Sequence, residues 1–360
     1  MPPQALRILV APTAFKGTLS ARQAAEAMAS GIHLARPEVE ITVLPVADGG
    51  DGFLECLSPG ATVHWRDVTG PLGEQIPAPF ALHGDGTAII ESALCCGITL
   101  LTPDALDPMR ATSRGVGELL HQARAAGAAR ALVGLGGSAT NDGGAGALQG
   151  LGFRLLNDSG AELEPGGGPL QRLARVLPPQ RADWPEIFCA CDVENPLLGP
   201  NGCTAVYGPQ KGVRTQVQRA ALEAGLSRLA SLTTFPPDTP KAGAAGGLAF
   251  GLAAFAGAKL VAGSRLVLDR LRFDERLAEC DVLVTGEGKL DGQTLQGKIV
   301  GEVLGRANRA GVRSYAVCGL LGSGWEPLRD LLAADPLETR QAHDAAEAVS
   351  KLAASLAECW

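Results

Sequence analysis

The stretch ALVGLGGSATNDGGA, residues 131–145, carries the strongest local signal in the sequence. Its apolar beginning predicts a buried strand at residues 131–135, and its end predicts the first turn of a helix at residues 142–150. Glycines and small polar residues lie between them, which is typical of a tight strand-to-helix loop in an α/β protein. The backbone N–H groups of such a loop can approach an anion closely, and the helix N-terminus adds a favourable potential.

The alternation of short strands and helices continues in both directions along the chain, so we expect an α/β fold with parallel or mixed sheets. Strands are predicted at residues 7–11, 41–46, 62–68, 87–91, 131–135, 186–191, 281–285 and 313–318. Helices are predicted at residues 20–30, 115–126, 142–150, 214–230, 244–256, 298–310, 327–334 and 344–354. Glycine and proline interrupt the pattern at residues 69–79, 164–169 and 235–247. We therefore predict a domain of residues 76–280 inserted into a domain made of residues 1–75 and 281–360.

The composition excludes some classes of partner. Of 360 residues, 46% are hydrophobic and 19% are charged, which supplies ample material for buried cores. The formal net charge is −7 and no basic run occurs, which argues against nucleic acid or an anionic membrane surface as the main partner. Residues 244–258 are apolar but too short for a membrane span, and no secretory signal pattern is present. Nine cysteines without a disulfide or zinc spacing predict buried thiols in a reducing, cytoplasmic compartment.

The glycine-rich loop is compatible with more than one function. Gly134, Gly136 and Ala139 satisfy the G-x-G-x-x-A pattern of dinucleotide-binding folds, and Asp158 lies near the distance expected for a ribose contact. This interpretation predicts a nicotinamide-dependent oxidoreductase that acts on hydroxy acids. A turn without a ligand is the structural alternative, but the run of polar side chains that begins at Ser138 is longer than a turn requires.

Two strand ends in the first sixty residues carry charged side chains within glycine-rich loops. In APTAFKGTLS, residues 11–20, Lys16 lies between a predicted strand and a predicted helix. A lysine at the carboxyl end of a strand suits a phosphate or a carboxylate, and a solvated surface lysine is the alternative. In VADGGDG, residues 46–52, Asp48 and Asp51 could bind Mg²⁺ or substrate hydroxyls, or belong to a plain turn.

A third strand end carries a carboxylate with a cation a short distance along the chain. In CACDVENPLLG, residues 189–199, Asp192 follows a buried strand, where general bases and metal-binding carboxylates are common. A structural role as an N-cap or in a turn is the alternative for Asp192. The segment YGPQKG, residues 207–212, adds Lys211 as a second cation.

A mixed-charge cluster occurs in the segment TGEGKLDGQTLQGK. Its charged members fit the binding of phosphate and Mg²⁺ better than hydride chemistry: Glu287, Lys289, Asp291 and Lys298. Residues 292–298 spell G-x-x-x-x-G-K, but Ile299 occupies the place where a P-loop needs serine or threonine for Mg²⁺. We therefore do not predict a P-loop.

Taken together, these segments resemble the class I glycerate kinase family of bacteria, of the glycerate 2-kinase type. The matching stretches are APTAFKGTLSA, VADGGDG, VTGPLG, GLGGSATNDGGAGALQGLG, ACDVENPLLG, YGPQKG, GAAGGLAFGLAAF and TGEGKLDGQTLQGK. They occur in the family's order and cover nearly the whole chain. One departure is at Thr13 and Ala14, where the family's first motif usually reads Asp-Ser, so any part of the site built from those residues is rearranged here.

The resemblance implies ATP-dependent phosphorylation of D-glycerate with Mg²⁺, most often at the 2-hydroxyl in bacterial members. Phosphorylation at the 3-hydroxyl or of a related hydroxy acid is the alternative. The resemblance also implies two α/β domains, a flavodoxin-like one in the middle of the chain and a restriction-endonuclease-like one built from both chain ends. The active site is then expected in the cleft between them. No nucleic acid or membrane partner is implied, and a homodimer is compatible with the sequence.

The resemblance and the loop chemistry together give the candidate residues expected roles. Lys16 and Lys211 neutralise the transferred phosphoryl group or the glycerate carboxylate, and Asp192 accepts the proton of the substrate hydroxyl. The ATP phosphates are expected to bind along the loop formed by Gly136, Gly137, Ser138, Ala139, Thr140, Asn141, Asp142 and Gly143. Candidates for substrate or Mg²⁺ binding are Asp48, Glu287, Asp291 and Lys298, with Asp142 as a further metal candidate. A protein that binds glycerate without turnover is the non-enzymatic alternative.

Overall fold

The computed structural model describes residues 5–294, 298–339 and 344–358 of the chain. Within these residues the strands are β1 (Arg7–Val10), β2 (Glu40–Val43), β3 (Thr62–Thr69), β4 (Gln75–Leu82), β5 (Thr87–Glu91), β6 (Arg130–Gly134), β7 (Arg154–Leu156), β8 (Arg175–Leu177), β9 (Glu186–Ala190), β10 (Lys259–Val261), β11 (Val282–Leu290), β12 (Arg313–Leu321) and β13 (Leu337–Glu338). The α-helices are α1 (Ala21–Ala35), α2 (Phe53–Leu57), α3 (Ala93–Cys96), α4 (Arg114–Ala125), α5 (Ala145–Gly150), α6 (Cys203–Tyr207), α7 (Gln216–Ala230), α8 (Ala244–Ala256), α9 (Gly263–Arg270), α10 (Phe273–Ala278), α11 (Ile299–Ala310) and α12 (Ala345–Ala357). Short 3₁₀ helices lie at Ile98–Leu100, Pro103–Ala105, Gly168–Arg172, Pro209–Lys211 and Glu326–Leu331.

The first of two compact units, the end unit, consists of the described residues of 1–48, 55–57 and 263–360. Its sheet is entirely parallel, with the strand order β13-β12-β11-β1-β2. Alternate residues of β1 face opposite sides, since Ile8 packs in a cluster with Met28 of α1 whereas Leu9 packs in a cluster with Val303 of α11. Helices on both faces explain why the consecutive residues Ile8, Leu9 and Val10 of β1 are all apolar and buried.

The second unit, the middle unit, consists of residues 49–54 and 58–262. Its six-stranded sheet has the order β10-β9-β6-β5-β4-β3. The first four strands are parallel, β4 is antiparallel to β5, and β3 is antiparallel to β4. The core contains Val133 of β6 together with Leu119 of α4, Leu148 of α5 and Phe250 of α8. Strands β7 and β8 form a separate antiparallel pair.

The unit boundaries differ from the predicted domain boundaries at residues 75–76 and 280–281. Strand β3 pairs with β4 along its whole length, so residues 62–69 belong to the middle unit. At the other boundary, Leu268 of α9 and Phe273 of α10 pack into the core of the end unit. Contacts distant in sequence therefore decide both boundaries, and the glycine and proline content near them does not.

The flavodoxin-like topology lies in a different unit from the one expected. Numbered along the chain, the strands of the end unit have the order 2-1-3-4-5, which is that of flavodoxin-like doubly wound sheets. The middle unit was expected to have this topology but has a mixed sheet, and the end unit was expected to resemble a restriction endonuclease. The alternation of strands and helices predicts an α/β fold but does not predict the order in which strands pair.

Every predicted strand is present. Within the described residues, the short strands β7, β8, β10 and β13 were not predicted, and neither was β4, because Pro77 and Pro79 interrupt its pattern. Strand β5 pairs only with Ala81 and Leu82 of β4, so the proline-containing part of β4 has a partner on one side only. Strands tolerate proline where one side is unpaired. Among the described α-helices, the short helices α2, α3 and α6 were not predicted, and neither were α9 and α10. The helix predicted at residues 327–334 is a 3₁₀ helix at Glu326–Leu331.

Candidate active site

The glycine loop, defined here as residues 136–143, connects β6 to α5 in the middle unit. Gly143 has a φ of 63°, in the left-handed region that glycine adopts without strain. Some N–H groups of the loop are used within the protein: Ala139 N donates to Cys96 O at 2.8 Å, and Gly143 N donates to Gly246 O at 3.0 Å. These two N–H groups are not available to a ligand.

The accessible part of the glycine loop is short. Gly136 is half-buried and Gly137 is exposed. The remaining residues are buried: Ser138, Ala139, Thr140, Asn141, Asp142 and Gly143. The prediction that the whole loop offers N–H groups to phosphates therefore narrows to its first two residues, and the buried residues shape the loop.

Lys211, which follows α6, is 3% exposed and holds the glycine loop. Its Nζ donates to Ser138 Oγ at 2.8 Å and to the Thr140 carbonyl oxygen at 2.7 Å. Burial lowers the pKa of Lys211 to about 8, although nearby Cys203 acts in the opposite direction. Among the ion pairs of the described residues, Lys211 has none. A buried ammonium without a carboxylate partner favours the binding of an anion nearby.

Asp142 is fully buried, and its carboxylate is used within the protein. One oxygen accepts hydrogen bonds from Ser113 N, Ser113 Oγ and Gly146 N at 2.9, 2.8 and 3.1 Å, and the other accepts from Gly144 N at 3.1 Å. Burial raises the pKa of Asp142, while these hydrogen bonds oppose the increase. Helix α5 begins at Ala145 rather than at residue 142, and the Asp142 carboxylate accepts from Gly146 N in its first turn.

Asn141 ties the glycine loop to α6. Its Nδ2 donates to Thr204 Oγ1 at 2.9 Å, and the side chain is fully buried. Its Oδ1 is a buried acceptor without a hydrogen-bond partner among the described residues. Such atoms are rare in folded proteins because an unsatisfied acceptor costs free energy.

Asp192 is half-buried and follows β9, which ends at Ala190. Strands β9 and β6 are parallel neighbours, with Ala190 beside Gly134. The carboxyl ends of parallel strands meet at one edge of a sheet, so Asp192 and the glycine loop begin at the same edge of the middle unit. The structure thus places the predicted base and the predicted phosphate loop on neighbouring strands.

Three other predicted residues share the carboxyl edge of the end unit. Lys16 follows β1, Asp48 follows β2, and Glu287 lies in the last part of β11. Strands β1 and β11 are the neighbours at which the strand order reverses, and ligands of doubly wound sheets bind at this point. Lys16 is exposed, and its loop covers Gly288, where an added Cβ would lie 3.1 Å from Lys16 N.

Glu287 is the centre of the charged cluster in the end unit. Its Oε1 accepts a hydrogen bond from Thr294 Oγ1 at 2.7 Å. Burial raises the pKa of Glu287, and the charges of Asp291 and Asp48 add to the increase, whereas Lys298 opposes it. The side chains of Asp48, Asp291 and Lys298 therefore lie close enough to Glu287 to affect its charge. Lys298 is the residue before α11, and residues 295–297 lie outside the described residues.

Asp291 is paired with a lysine of the same strand region. Burial acts to raise the pKa of Asp291, but Lys289, whose Nζ lies 3.0 Å from Oδ2, the N–H of Gln293 and the charge of Lys298 together lower it. Carboxylate oxygens are the ligands that Mg²⁺ prefers. In the part of the chain that the structure describes, however, no three histidine, cysteine or carboxylate side chains are arranged to hold a metal ion by themselves.

Comparison with known proteins adds an independent finding. The family described as "Glycerate kinase family" matches residues 8–359. The chain is 41% identical over 332 residues to the glycerate 2-kinase of Escherichia coli strain K12, a match that covers 88% of this chain and 85% of that protein. It is 40% identical over 329 residues to the glycerate kinase of Bacillus subtilis strain 168, with the same coverage of 88% and 85%. The chain belongs to the glycerate kinase family.

A solved structure agrees with this assignment. The crystal structure of a protein provisionally named glycerate kinase 2, from Salmonella typhimurium LT2, matches with a TM-score of 0.82 at 36% identity and covers 99% of this chain and 98% of that one. The family resemblance inferred from the motifs is thus confirmed, and the chain is a kinase. In the described residues, no helix combines the length and the apolar character needed to cross a membrane.

The oxidoreductase alternative is not supported for this glycerate kinase family member. That alternative placed Asp158 at a ribose. The Asp158 side chain is 85% exposed and lies 3.7 Å from Arg228. The G-x-G-x-x-A match therefore reflects the glycine content of the loop.

Two residues that shape the loop were not predicted. Ser113, directly before α4, donates to Asp142 and accepts from Ala147 N at 3.0 Å. Its signal is a serine in front of a helical pattern, which is typical of a helix start. The other residue is Glu91, the last residue of β5. A carboxylate at the end of a largely apolar strand is the sequence feature that could have identified it.

Proposed function

We propose that this glycerate kinase transfers the γ-phosphoryl group of ATP to the 2-hydroxyl of D-glycerate. The observation that carries the proposal is the buried ammonium of Lys211, which donates to the glycine loop and forms no ion pair among the described residues, although the charge of Asp142 acts on it. The accessible glycines Gly136 and Gly137 allow a phosphate to approach the backbone there. Family membership supports glycerate as the acceptor, and the name of the Escherichia coli relative, glycerate 2-kinase, supports the 2-hydroxyl.

The proposed roles follow from the chemistry of phosphoryl transfer, which depends mainly on positioning and charge neutralisation. Lys211 stabilises negative charge at the glycine loop, and Lys16 attracts the anionic substrates to the end unit. Asp192 accepts the proton of the attacking hydroxyl. Bound Mg²⁺ would neutralise phosphate charge, and the carboxylates suited to contribute ligands to it, together with the nucleotide, are those of Asp48, Glu287 and Asp291.

A coupled assay of ADP release over a panel of hydroxy acids tests the proposal. We expect release with D-glycerate and Mg²⁺, and ³¹P NMR of the product should show 2-phosphoglycerate. A 3-phosphoglycerate signal would reassign the acceptor hydroxyl. Absence of ADP release with every acid, at saturating ATP and Mg²⁺, would refute the proposed activity.

Replacement of Asp192 tests the base. The variant Asp192→Asn should lower kcat by about 10²–10⁴-fold with little change in KM, because it removes the proton acceptor and leaves binding intact. Glu194→Gln is the matched control, since Glu194 lies in the same loop and pairs with Lys241. A near-normal kcat for Asp192→Asn would give the base role to another residue.

A further inference from the structure

Glu91 is a buried carboxylate at the carboxyl end of β5, next to the glycine loop. It is 5% exposed and lies beside Gly134, the last residue of the parallel strand β6. Its Oε1 accepts a hydrogen bond from Gly52 N at 3.2 Å, and its Oε2 accepts one from Leu54 N at 2.9 Å. Both oxygens thus bind the backbone of residues 49–54. We call this segment the DGG turn, after the sequence Asp48-Gly49-Gly50 at which it begins.

The DGG turn packs directly on the first residues of the glycine loop. An added Cβ at Gly134 would lie 2.7 Å from Gly49 O, and one at Gly136 would collide with the Cα of Gly50. An added Cβ at Gly137 would lie 2.8 Å from Asp51 Oδ1. Two backbones are therefore in contact without intervening side chains, so the position of the DGG turn fixes the position of Gly136 and Gly137.

The two sides of the DGG turn differ in exposure. Asp51 is exposed, and Gly50 is half-buried like Gly136. Glu91 contacts the turn at Gly52 and Leu54 and is almost fully buried, so it is not placed to touch a ligand. A buried carboxylate is costly unless hydrogen bonds compensate it, and here backbone donors of the DGG turn supply them.

We propose that Glu91 is a positioning residue, which holds the DGG turn against the glycine loop and thereby fixes the accessible Gly136 and Gly137 N–H groups for the phosphates of a nucleotide. The choice of nucleotide as ligand rests on the proposed function. The contacts that hold the turn against the loop are independent of that function, because they all lie within the middle unit. Glu91 acts through the turn, and its loss should weaken phosphate binding more than it weakens the fold.

The test is Glu91→Gln in the full chain, with Glu118→Gln as matched control. Glu118 also accepts from the backbone of another element, from Thr69 N at 2.7 Å, and its second oxygen accepts from Thr69 Oγ1 at 2.9 Å. In Glu91→Gln the side-chain amide would present N–H to a backbone donor, so one hydrogen bond is lost. Glu91→Asp keeps the charge but shortens the side chain, and serves by the same criteria if Glu91→Gln does not fold.

For Glu91→Gln we expect the KM for MgATP to rise about tenfold or more, since small displacements of positioning groups are costly in catalysis. Amide hydrogen exchange should become faster at Gly52 and Leu54, which donate to Glu91. The backbone order parameters of Gly136 and Gly137, measured by ¹⁵N relaxation, should fall because the turn no longer holds them. Glu118→Gln should lower the Tm to a similar degree and leave the KM for MgATP within about twofold of the native value.

Two results would overturn the role of Glu91. One is a native KM and kcat in Glu91→Gln together with a loss of Tm like that of Glu118→Gln. The other is unchanged backbone order parameters at Gly136 and Gly137. If the native enzyme releases no ADP with any hydroxy acid, the proposed activity fails, and the order parameters alone still decide whether Glu91 fixes the loop.

Discussion

Lys211 and Asp142 carry ionisable groups that are almost fully buried beside the glycine loop. They are stabilised in different ways. Asp142 accepts four hydrogen bonds, whereas Lys211 donates to two neutral oxygens and has a lowered pKa. Asp142 therefore stabilises the loop, and Lys211 retains electrostatic potential for an anion.

The lowered pKa of Lys211 predicts a pH dependence of stability. Below pH 8 the lysine is protonated in both states, and the cost of its burial is fully present. Between about 8 and 10.5, the folded state loses this proton before the unfolded state does, so the free energy of unfolding should rise with pH. Compared with Lys211→Met, the native protein should gain roughly 3 kcal/mol over this interval in urea titrations. Parallel pH curves for the two proteins would contradict the prediction.

The hydrogen bonds of Asp142 predict a large loss of stability in Asp142→Asn. The amide group would turn N–H toward backbone donors, and we expect the free energy of unfolding to fall by about 2–4 kcal/mol. Urea denaturation measures the change. Asp192→Asn is the control, because Asp192 is only half-buried and its loss should change stability little. Equal stability losses in the two variants would refute the structural role of Asp142.

Among the elements, helix α8 has an irregular first turn, which contacts the glycine loop. Residues Ala245, Gly246 and Gly247 have φ values of 52°, 68° and 84°, so the first turn is left-handed. This turn supplies Gly246 O to the N–H of Gly143 and leaves no room for a side chain at Gly246. Hydrophobic periodicity predicted a regular helix over residues 244–256 because it does not report the sign of φ.

Ala245 is the strained residue of that turn, because a left-handed backbone is unfavourable for any residue with a Cβ. The variant Ala245→Gly should therefore raise the free energy of unfolding by about 0.5–1 kcal/mol. Thermal unfolding monitored by circular dichroism measures this. Ala249→Gly, in the regular part of α8, should lower it by about 1 kcal/mol. A fall in Tm for both variants would show that Ala245 is not strained.

At the scale of the whole molecule, the two units differ in how the chain forms them. The core of the middle unit draws its residues from a continuous stretch between Val68 and Ala258. The end unit combines both ends of the chain, since β1 pairs with β11 through contacts such as Ile8 with Val282, and α1 packs on α12. The central strand of its sheet, β11, is thus distant in sequence from β1, one of its two neighbours.

This difference predicts how fragments fold. A fragment of residues 49–262 should unfold cooperatively on heating, because it contains the whole core of the middle unit. A fragment of residues 263–360 should stay unfolded, because it lacks β1, β2 and α1. Calorimetry of both fragments measures this. A cooperative transition in the second fragment, or none in the first, would contradict the division.

The sequence by itself determined the α/β class, each of the strands it predicted, the family, and the loops that carry the candidate residues. These follow from local patterns: apolar runs, glycines and charged residues at strand ends. Even the capped start of α1 at Ser20 could be predicted, since a capping box involves residues only three apart.

Only the tertiary structure decided which candidates are accessible and which are buried. The sequence predicted that Asn141 and Asp142 bind phosphate together with Gly136 and Gly137. In the structure, however, Asn141 and Asp142 are buried. The strand order, the unit boundaries and the role of Glu91 depend on contacts between residues that are tens of positions apart. A local sequence pattern does not predict such contacts. Burial and hydrogen bonding are properties of assembled neighbours, and for that reason they are fixed only when the chain has folded.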